Sequence, residues 1–165
     1  MVWKNMNQYL HEVVITAIIY RDDRYLIIQR SPTKKRFPNQ WTIPGGRLEV
    51  EDYSLTQKET KDYWYNVLEK ALQREVLEEV GIKIADIDYL TSLATIHKDG
   101  APSLVISCIA GYKSGKIKLQ EEEAQDFAWV TLKEAKKYDL IDGIYDELVM
   151  VEKKLSGRKV IWKRN

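Results

Sequence analysis

The stretch Arg74-Glu75-Val76-Leu77-Glu78-Glu79, closed by Gly81, constrains this chain more than any other segment. It reads as the end of a helix, with glycine supplying the left-handed stop. Acidic side chains are misplaced there. The C-terminal end of the macrodipole is partially negative, so each carboxylate costs roughly 0.3–1 kcal/mol. At about 100° per residue, Glu75 and Glu79 lie within roughly 40° of each other and continue the stripe begun by Leu68 and Leu72. That stripe faces the core. Carboxylates crowded on a semi-buried face repel unless a cation sits among them, and hard oxygen donors suit Mg²⁺ or Mn²⁺. Such runs also occur on solvated amphipathic helices, so the context has to decide.

Upstream, Trp41-Thr42-Ile43-Pro44-Gly45-Gly46 reads as a short strand entering a Pro-Gly-Gly turn. Two glycines let the backbone approach a ligand and present its own amides and carbonyls. A glycine turn followed by a glutamate-bearing helix points to a phosphate-and-metal site.

These residues resemble the signature of the Nudix hydrolases, a MutT-like family. That signature is a glycine, five residues, a glutamate, seven residues, and then R-E-U-x-E-E-x-G-U, with U aliphatic. Arg74, Glu75, Val76, Glu78, Glu79, Gly81 and Ile82 match the second half, and Gly46 opens the first, with Trp41, Pro44 and Gly45 fitting the usual lead-in. The chain departs in two places. Asp52 occupies the first glutamate position, next to Glu51, and the spacer from Tyr53 to Gln73 is roughly fourteen residues longer than usual. In the family the first acid mainly organises loop and helix, so Asp52 or Glu51 is expected to substitute for it. The resemblance implies one Nudix domain over 1–165, with a core at about 12–155 and an insertion within the motif at about 53–66.

The rest of the chain agrees with a soluble enzyme domain. The length suits one domain with a full core. A formal net charge of +1 excludes a strong field for nucleic acid or membranes. With no signal peptide, no apolar run near ~18 residues, and Cys108 alone in an apolar run, the expected location is cytoplasmic. The basic end, Arg158-Lys159 through Lys163-Arg164, reads as a solvated tail. Val13–Tyr20 and Tyr25–Gln29 read as a hairpin turning at Asp22-Asp23. Trp41–Ile43, Ile87–Ile96, Leu104–Tyr112 and Phe127–Val130 read as further strands, with a turn at Lys98-Asp99-Gly100. Helices are expected over Asn66–Val80, from a Thr131 cap to about Lys137, and over Asp142–Leu155. The fold class is α/β, and the resemblance implies an α/β/α sandwich around a mixed sheet.

The resemblance implies hydrolysis of a pyrophosphate linkage in a nucleoside diphosphate joined to another group, either a nucleoside triphosphate or a substrate of the nucleotide-sugar or ADP-ribose type. It implies Glu75, Glu78, Glu79 and the Gly45 carbonyl as ligands of Mg²⁺ or Mn²⁺, and Arg74 as the residue orienting the carboxylates. Glu123, before the late Trp129, is the candidate general base, with Glu78 or Glu79 as alternatives. Arg30 and Gly46 are the expected substrate contacts. Lys34, Lys35 and Arg36 read as a solvated basic loop within reach of outer phosphates, and His97 as a surface histidine. The insertion aromatics Tyr63, Trp64 and Tyr65 are expected to extend the glutamate helix and pack against the domain or a second copy of the chain, so a homodimer is one partner considered. A nucleotide-sensing module is the alternative function, disfavoured because the motif keeps its helix glutamates. An isoprenoid-diphosphate isomerase is the other, disfavoured because it needs a catalytic cysteine and a histidine-rich metal site.

Overall fold

The computed structural model describes residues 9–165, so the first eight residues of the expected domain lie outside it. Its strands are β1 (Glu12–Arg21), β2 (Arg24–Arg30), β3 (Trp41–Thr42), β4 (Gly45–Arg47), β5 (Ile82–Ile96), β6 (Pro102–Gly115) and β7 (Ala124–Val130). Its helices are α1 (Glu51–Ser54), α2 (Val67–Val80), α3 (Leu132–Ala135) and α4 (Ile144–Leu155). The seven strands make one mixed sheet, in which β1 runs parallel to β6 and antiparallel to β2 and β4.

The sheet splits where the site lies. β1 and β2 leave their turn at Asp22, which has φ 55°, and pair at Tyr20–Tyr25 and Arg21–Arg24 before diverging. β3 then pairs with β2, while β4 pairs with β1 on the side that β2 has left. The Gly45-Gly46 segment is therefore extended strand, not the turn expected from Pro-Gly-Gly. The strand chemistry explains why glycine is needed there. Gly45 has φ 150°, and a Cβ on it would stand 2.2 Å from the Ile15 carbonyl oxygen.

Alternation along the strands produces two apolar layers. Ile15, Ala17, Ile19, Leu26 and Ile28 pack with Leu72, Val76 and Val80 of α2. Ile18, Tyr25, Ile27 and Ile109 pack with Ala135 of α3 and Leu148, Met150 and Val151 of α4. The sheet thus lies between α2 on one face and α3 and α4 on the other, as an α/β/α sandwich. Cys108 is buried in the α2 layer, and burial pushes its thiol up to about 11.

Some boundaries differ from expectation. β5 starts at Ile82, five residues earlier than the apolar pattern suggests, because irregularities after Lys83 and Ala85 break the alternation. α3 closes at Ala135 behind a Thr131–Glu134 capping box. α2 starts at Val67 behind a left-handed Asn66, so Tyr63, Trp64 and Tyr65 do not extend it. Tyr63 and Tyr65 are exposed, while Trp64 lies against Tyr53 and donates from Nε1 to the Thr56 carbonyl at 3.0 Å. In the basic end Arg158, Lys159 and Lys163 are exposed, as a solvated tail implies, while Arg164 also pairs with Asp142 and with the buried Asp146.

Candidate active site

α2 carries the acidic cluster to its last two turns and stops at Gly81, whose φ is 75° and whose N–H donates to the Leu77 carbonyl at 3.0 Å. The helix packs on β1 through Leu72, Val76 and Val80, which fixes the rotation of the glutamates. Glu79 shares the buried side, at 7% exposure, Glu75 is partly covered, and Glu78 faces outward.

β4 meets this face edge-on. The Gly45 N–H donates to Glu79 Oε2 at 3.0 Å. Gly46 leaves room for the neighbouring carboxylate, since a Cβ there would stand 2.1 Å from the Glu75 carboxyl carbon. The two glycines thus serve different ends, one for the close strand pairing with β1 and the other for Glu75.

Electrostatics set Glu79 apart. Burial pushes its carboxyl up to about 7, Glu123 and Glu75 push the same way, and the Gly45 N–H and Arg30 oppose them. Burial also raises Glu75, against the pull of Arg74. Arg74 lies at the centre of the outer shell. It forks onto Asp52 through Nε and Nη2 and reaches Glu75 and Glu78, each at 2.9 Å. Arg74 holds the Asp52 carboxyl below the usual carboxylate range, and Asp52 also accepts the Glu49 N–H at 2.8 Å. Of the two acids at this point Asp52 makes the pair, and Glu51 is exposed. A shorter side chain reaches Arg74 because α1 brings Asp52 beside α2.

The remaining expected residues gather at the same end of the sheet. Ala124 pairs with Arg30 across β2 and β7, which places Glu123 beside Arg30. Arg30 donates from Nε to the Arg36 carbonyl at 3.1 Å and stands close enough to Glu79 and Glu123 for both to favour its charge. Lys34 forms an ion pair with Glu123. Arg36 spans Glu12 and Asp99, each at 2.8 Å, and thereby ties its loop to the β5–β6 turn. His97 is a partner of the buried Ser103, at 2.9 Å, and Ser103 donates to Glu12 at 2.7 Å. Lys34 and Arg36 are thus held in ion pairs where a solvated loop was expected, Lys35 is exposed as expected, and His97 is a half-buried partner of Ser103. These pairs join residues far apart in the chain, and no local spacing signals them.

Among the described residues, no three Asp, Glu, His or Cys side chains converge tightly enough to hold an ion as they stand. The partners explain this. Glu75 and Glu78 turn toward Arg74, and Glu79 turns toward the Gly45 amide. The donor set is nonetheless all hard oxygen, with a buried carboxylate repelled by two neighbours, and that chemistry fits Mg²⁺ or Mn²⁺ once side-chain rotation frees the carboxylates from Arg74.

The NUDIX domain family pattern matches residues 10–149. The nucleoside triphosphatase NudI of Escherichia coli (strain K12) is 28% identical over 139 residues, spanning 77% of this chain and 86% of that protein. Among solved structures, the MutT NUDIX hydrolase from Burkholderia pseudomallei superposes with a TM-score of 0.69 at 23% identity, covering 86% of this chain and 98% of that one. The NUDIX domain of Shewanella oneidensis NrtR, solved with ADP ribose, superposes with a TM-score of 0.65 at 19% identity, covering 88% of this chain and 89% of that one. At these identities the two structures bear on the fold.

Proposed function

The chain belongs to the NUDIX domain family and is a pyrophosphohydrolase of nucleoside diphosphate derivatives, and from that premise we propose that its substrate is a nucleoside triphosphate, cleaved with Mg²⁺ or Mn²⁺ in the site of Glu75, Glu78, Glu79 and the Gly45 carbonyl. The observation that carries the metal reading is Glu79, a carboxylate 7% exposed whose hydrogen bond comes from an amide and whose close neighbours include two more carboxylates. The name of the NudI relatives supports the triphosphate over a nucleotide sugar. The reading takes the chain as one cytoplasmic domain, and among the described residues no helix is long and apolar enough to cross a membrane.

When bound, divalent cations lower the pKa of water and neutralise phosphate oxygens. The chain's own residues do the rest. Water adds to one phosphorus, the bridging P–O bond breaks, and the water proton passes to a carboxylate, which this reading assigns to Glu123. For Glu123 to act, the Lys34 ammonium moves from the carboxylate to a phosphate oxygen, a shift that ties proton acceptance to substrate arrival. Arg30, held by the Arg36 carbonyl beside Glu79 and Glu123, faces the anionic chain and offsets its charge. Arg74 stays forked on Asp52 while it releases Glu75 and Glu78, so it keeps α2 in register with α1 as the carboxylates turn.

Turnover of a panel of nucleoside triphosphates, nucleotide sugars and ADP-ribose tests the reading, with and without EDTA. The expected result is triphosphate cleavage abolished by EDTA, restored by Mg²⁺, and reduced by orders of magnitude in Glu79→Gln. Near-normal turnover by Glu79→Gln with every active substrate overturns the metal assignment.

A further inference from the structure

The loop between β2 and β3, residues 31–40, follows Arg30 and carries Lys34, yet little of its backbone is tied down. The Arg30 N–H donates to the Gln40 carbonyl at 3.0 Å and closes the base of the loop, and the Lys34 N–H donates to the Ser31 carbonyl at 3.2 Å. Among the described residues, the backbone from Lys35 to Asn39 makes no backbone–backbone hydrogen bond. Phe37 and Asn39 hold φ at 53° and 62°, and the Phe37 side chain is exposed, so it gives the loop no anchor in the core. A left-handed phenylalanine is costly and persists only where its surroundings fix it.

Arg36, its neighbour, supplies that fixing. Its guanidinium joins two other parts of the sheet, Glu12 at the start of β1 through Nη1 and Asp99 in the β5–β6 turn through Nη2, each at 2.8 Å. The two arms differ in strength. The Asp99 side chain is 60% exposed, and solvent weakens a pair of that kind. The Glu12 side chain is 27% exposed and also accepts the hydroxyl of the buried Ser103 at 2.7 Å. A hydroxyl has one proton, so with that proton on Glu12 the Ser103 oxygen accepts from His97 Nε2 at 2.9 Å. The chain from His97 through Ser103 and Glu12 to Arg36 is therefore directional, and it continues to the site. The Arg36 carbonyl accepts the Nε–H of Arg30 at 3.1 Å, which fixes the plane of that guanidinium beside Glu79 and Glu123. Among the described residues, Nη1 and Nη2 of Arg30 make no hydrogen bond or ion pair, and that pair of nitrogens has the spacing of a phosphate fork.

We propose that Arg36 is a positioning residue of the phosphate site, aiming the Arg30 fork through its carbonyl while Glu12 and, more weakly, Asp99 hold its guanidinium. The proposal deepens the nucleoside triphosphatase reading and rests on its placement of Arg30 toward the anionic chain. The charge of Arg36 is neutralised by the two acids, so its influence on a phosphate passes through Arg30. The β5–β6 turn, far from the carboxylate cluster in the chain, thereby helps to set the geometry of phosphate binding.

The test is a double-mutant cycle, read by calorimetric titration of inorganic pyrophosphate into the full chain with Mg²⁺, with a melting curve for each protein. Arg36→Ala is expected to weaken pyrophosphate by at least roughly fivefold, the scale of one misaimed hydrogen bond to a charged group. Glu12→Gln reproduces most of the loss and Asp99→Asn less of it. Arg36→Lys, whose single ammonium cannot fork between both acids, falls between the alanine variant and the wild type. In an Arg30→Gln background Arg36→Ala has no further effect on affinity, while any fall in melting temperature that comes from the loop remains. Should Arg36→Ala fail to fold, Glu12→Gln takes its place in the cycle. Unchanged affinity in Arg36→Ala overturns the proposal. So does the same fold-loss in both backgrounds, which is what a merely structural or a directly binding Arg36 gives, or a wild type that binds no pyrophosphate. These outcomes leave the hydrolase reading standing, because that reading fails separately, through turnover that persists in Glu79→Gln.

Discussion

Glu79→Gln separates the cost of the site from its use. In the metal-free protein the Glu79 carboxyl stands at about 7, against an ordinary value of 4.5, chiefly because it is buried. A raised carboxyl favours the protonated form in the fold. Its contribution is therefore fully present below pH 4.5 and is lost as pH rises through 7. At about 1.4 kcal/mol per unit, the shift corresponds to about 3 kcal/mol of destabilisation at pH 8 relative to pH 4.5. Glutamine keeps an oxygen for the Gly45 N–H and has no charge to desolvate. The metal-free variant is thus expected to be about 3 kcal/mol more stable than the wild type at pH 8 and nearly equal to it at pH 4.5.

For a chain of this length that difference is about 6–12 °C in melting temperature. Thermal denaturation followed by circular dichroism in EDTA, at pH 4.5, 6 and 8, measures it directly. Glu75 and Glu147, whose carboxyls burial also raises, titrate in both proteins and largely cancel in the comparison. Equal stability at pH 8, or a difference that does not change with pH, refutes the argument that burial of an uncompensated carboxylate governs this site. With Mg²⁺ the order is expected to reverse, because only the wild type retains the full set of charged ligands.

Gly46→Ala is expected to fold but to lose turnover by at least tenfold, since the new methyl displaces only the mobile end of Glu75; kinetics beside a melting curve check it. Gly45→Ala meets the Ile15 backbone at a φ that side chains rarely adopt, and is expected to lose more than about 2 kcal/mol in urea denaturation. Arg74→Lys forfeits the fork on Asp52 and is expected to lower kcat by roughly 10–100-fold with the fold retained. Turnover is expected to rise toward mildly alkaline pH as Glu79, which burial holds at about 7, ionises, and a pH–rate profile peaking below about pH 5 contradicts the mechanism.

Much of this was legible in the sequence because the informative residues are close in the chain. The 3.6-residue period from Leu68 to Glu79 placed the carboxylates on the packed face, and Gly81 marked the helix end. Asp52 was legible only as one of two acids, and the α1 geometry distinguishes it from Glu51. Gly45-Gly46 misled in form, because a Pro-Gly-Gly run has the composition of a turn, and its pairing with β1 depends on the divergence of β2 some twenty residues earlier. Tyr63-Trp64-Tyr65 misled for another reason. The helix starts at a left-handed Asn66, a conformation asparagine tolerates, and that start cuts the aromatics off from the periodic stripe. The pairs Arg36–Glu12, Ser107–Glu147 and Arg164–Asp146 left no trace in local spacing, since each joins elements that only the sheet brings together.

The departures from ordinary folding rules collect at one place, and their grouping is itself an argument. Acids sit at the negative end of α2, a strand runs through two glycines, and a carboxylate is buried beside two more. Each feature weakens the metal-free fold, and local partners cushion each without removing it. Arg74 lends its charge to Glu75 and Glu78, but it is anchored on Asp52 and reaches them at the helix surface. Glu79, the deepest of the three, gets an amide and the more distant Arg30. The residual imbalance is therefore largest where no side-chain cation makes an ion pair among the described residues, which is where a small divalent ion would release the most free energy. On the proposed metal reading, the same features that make α2 a poor helix end are the ones that would bind the ion. A substitution that repairs the helix, such as Glu79→Gln, is expected to take the function with it.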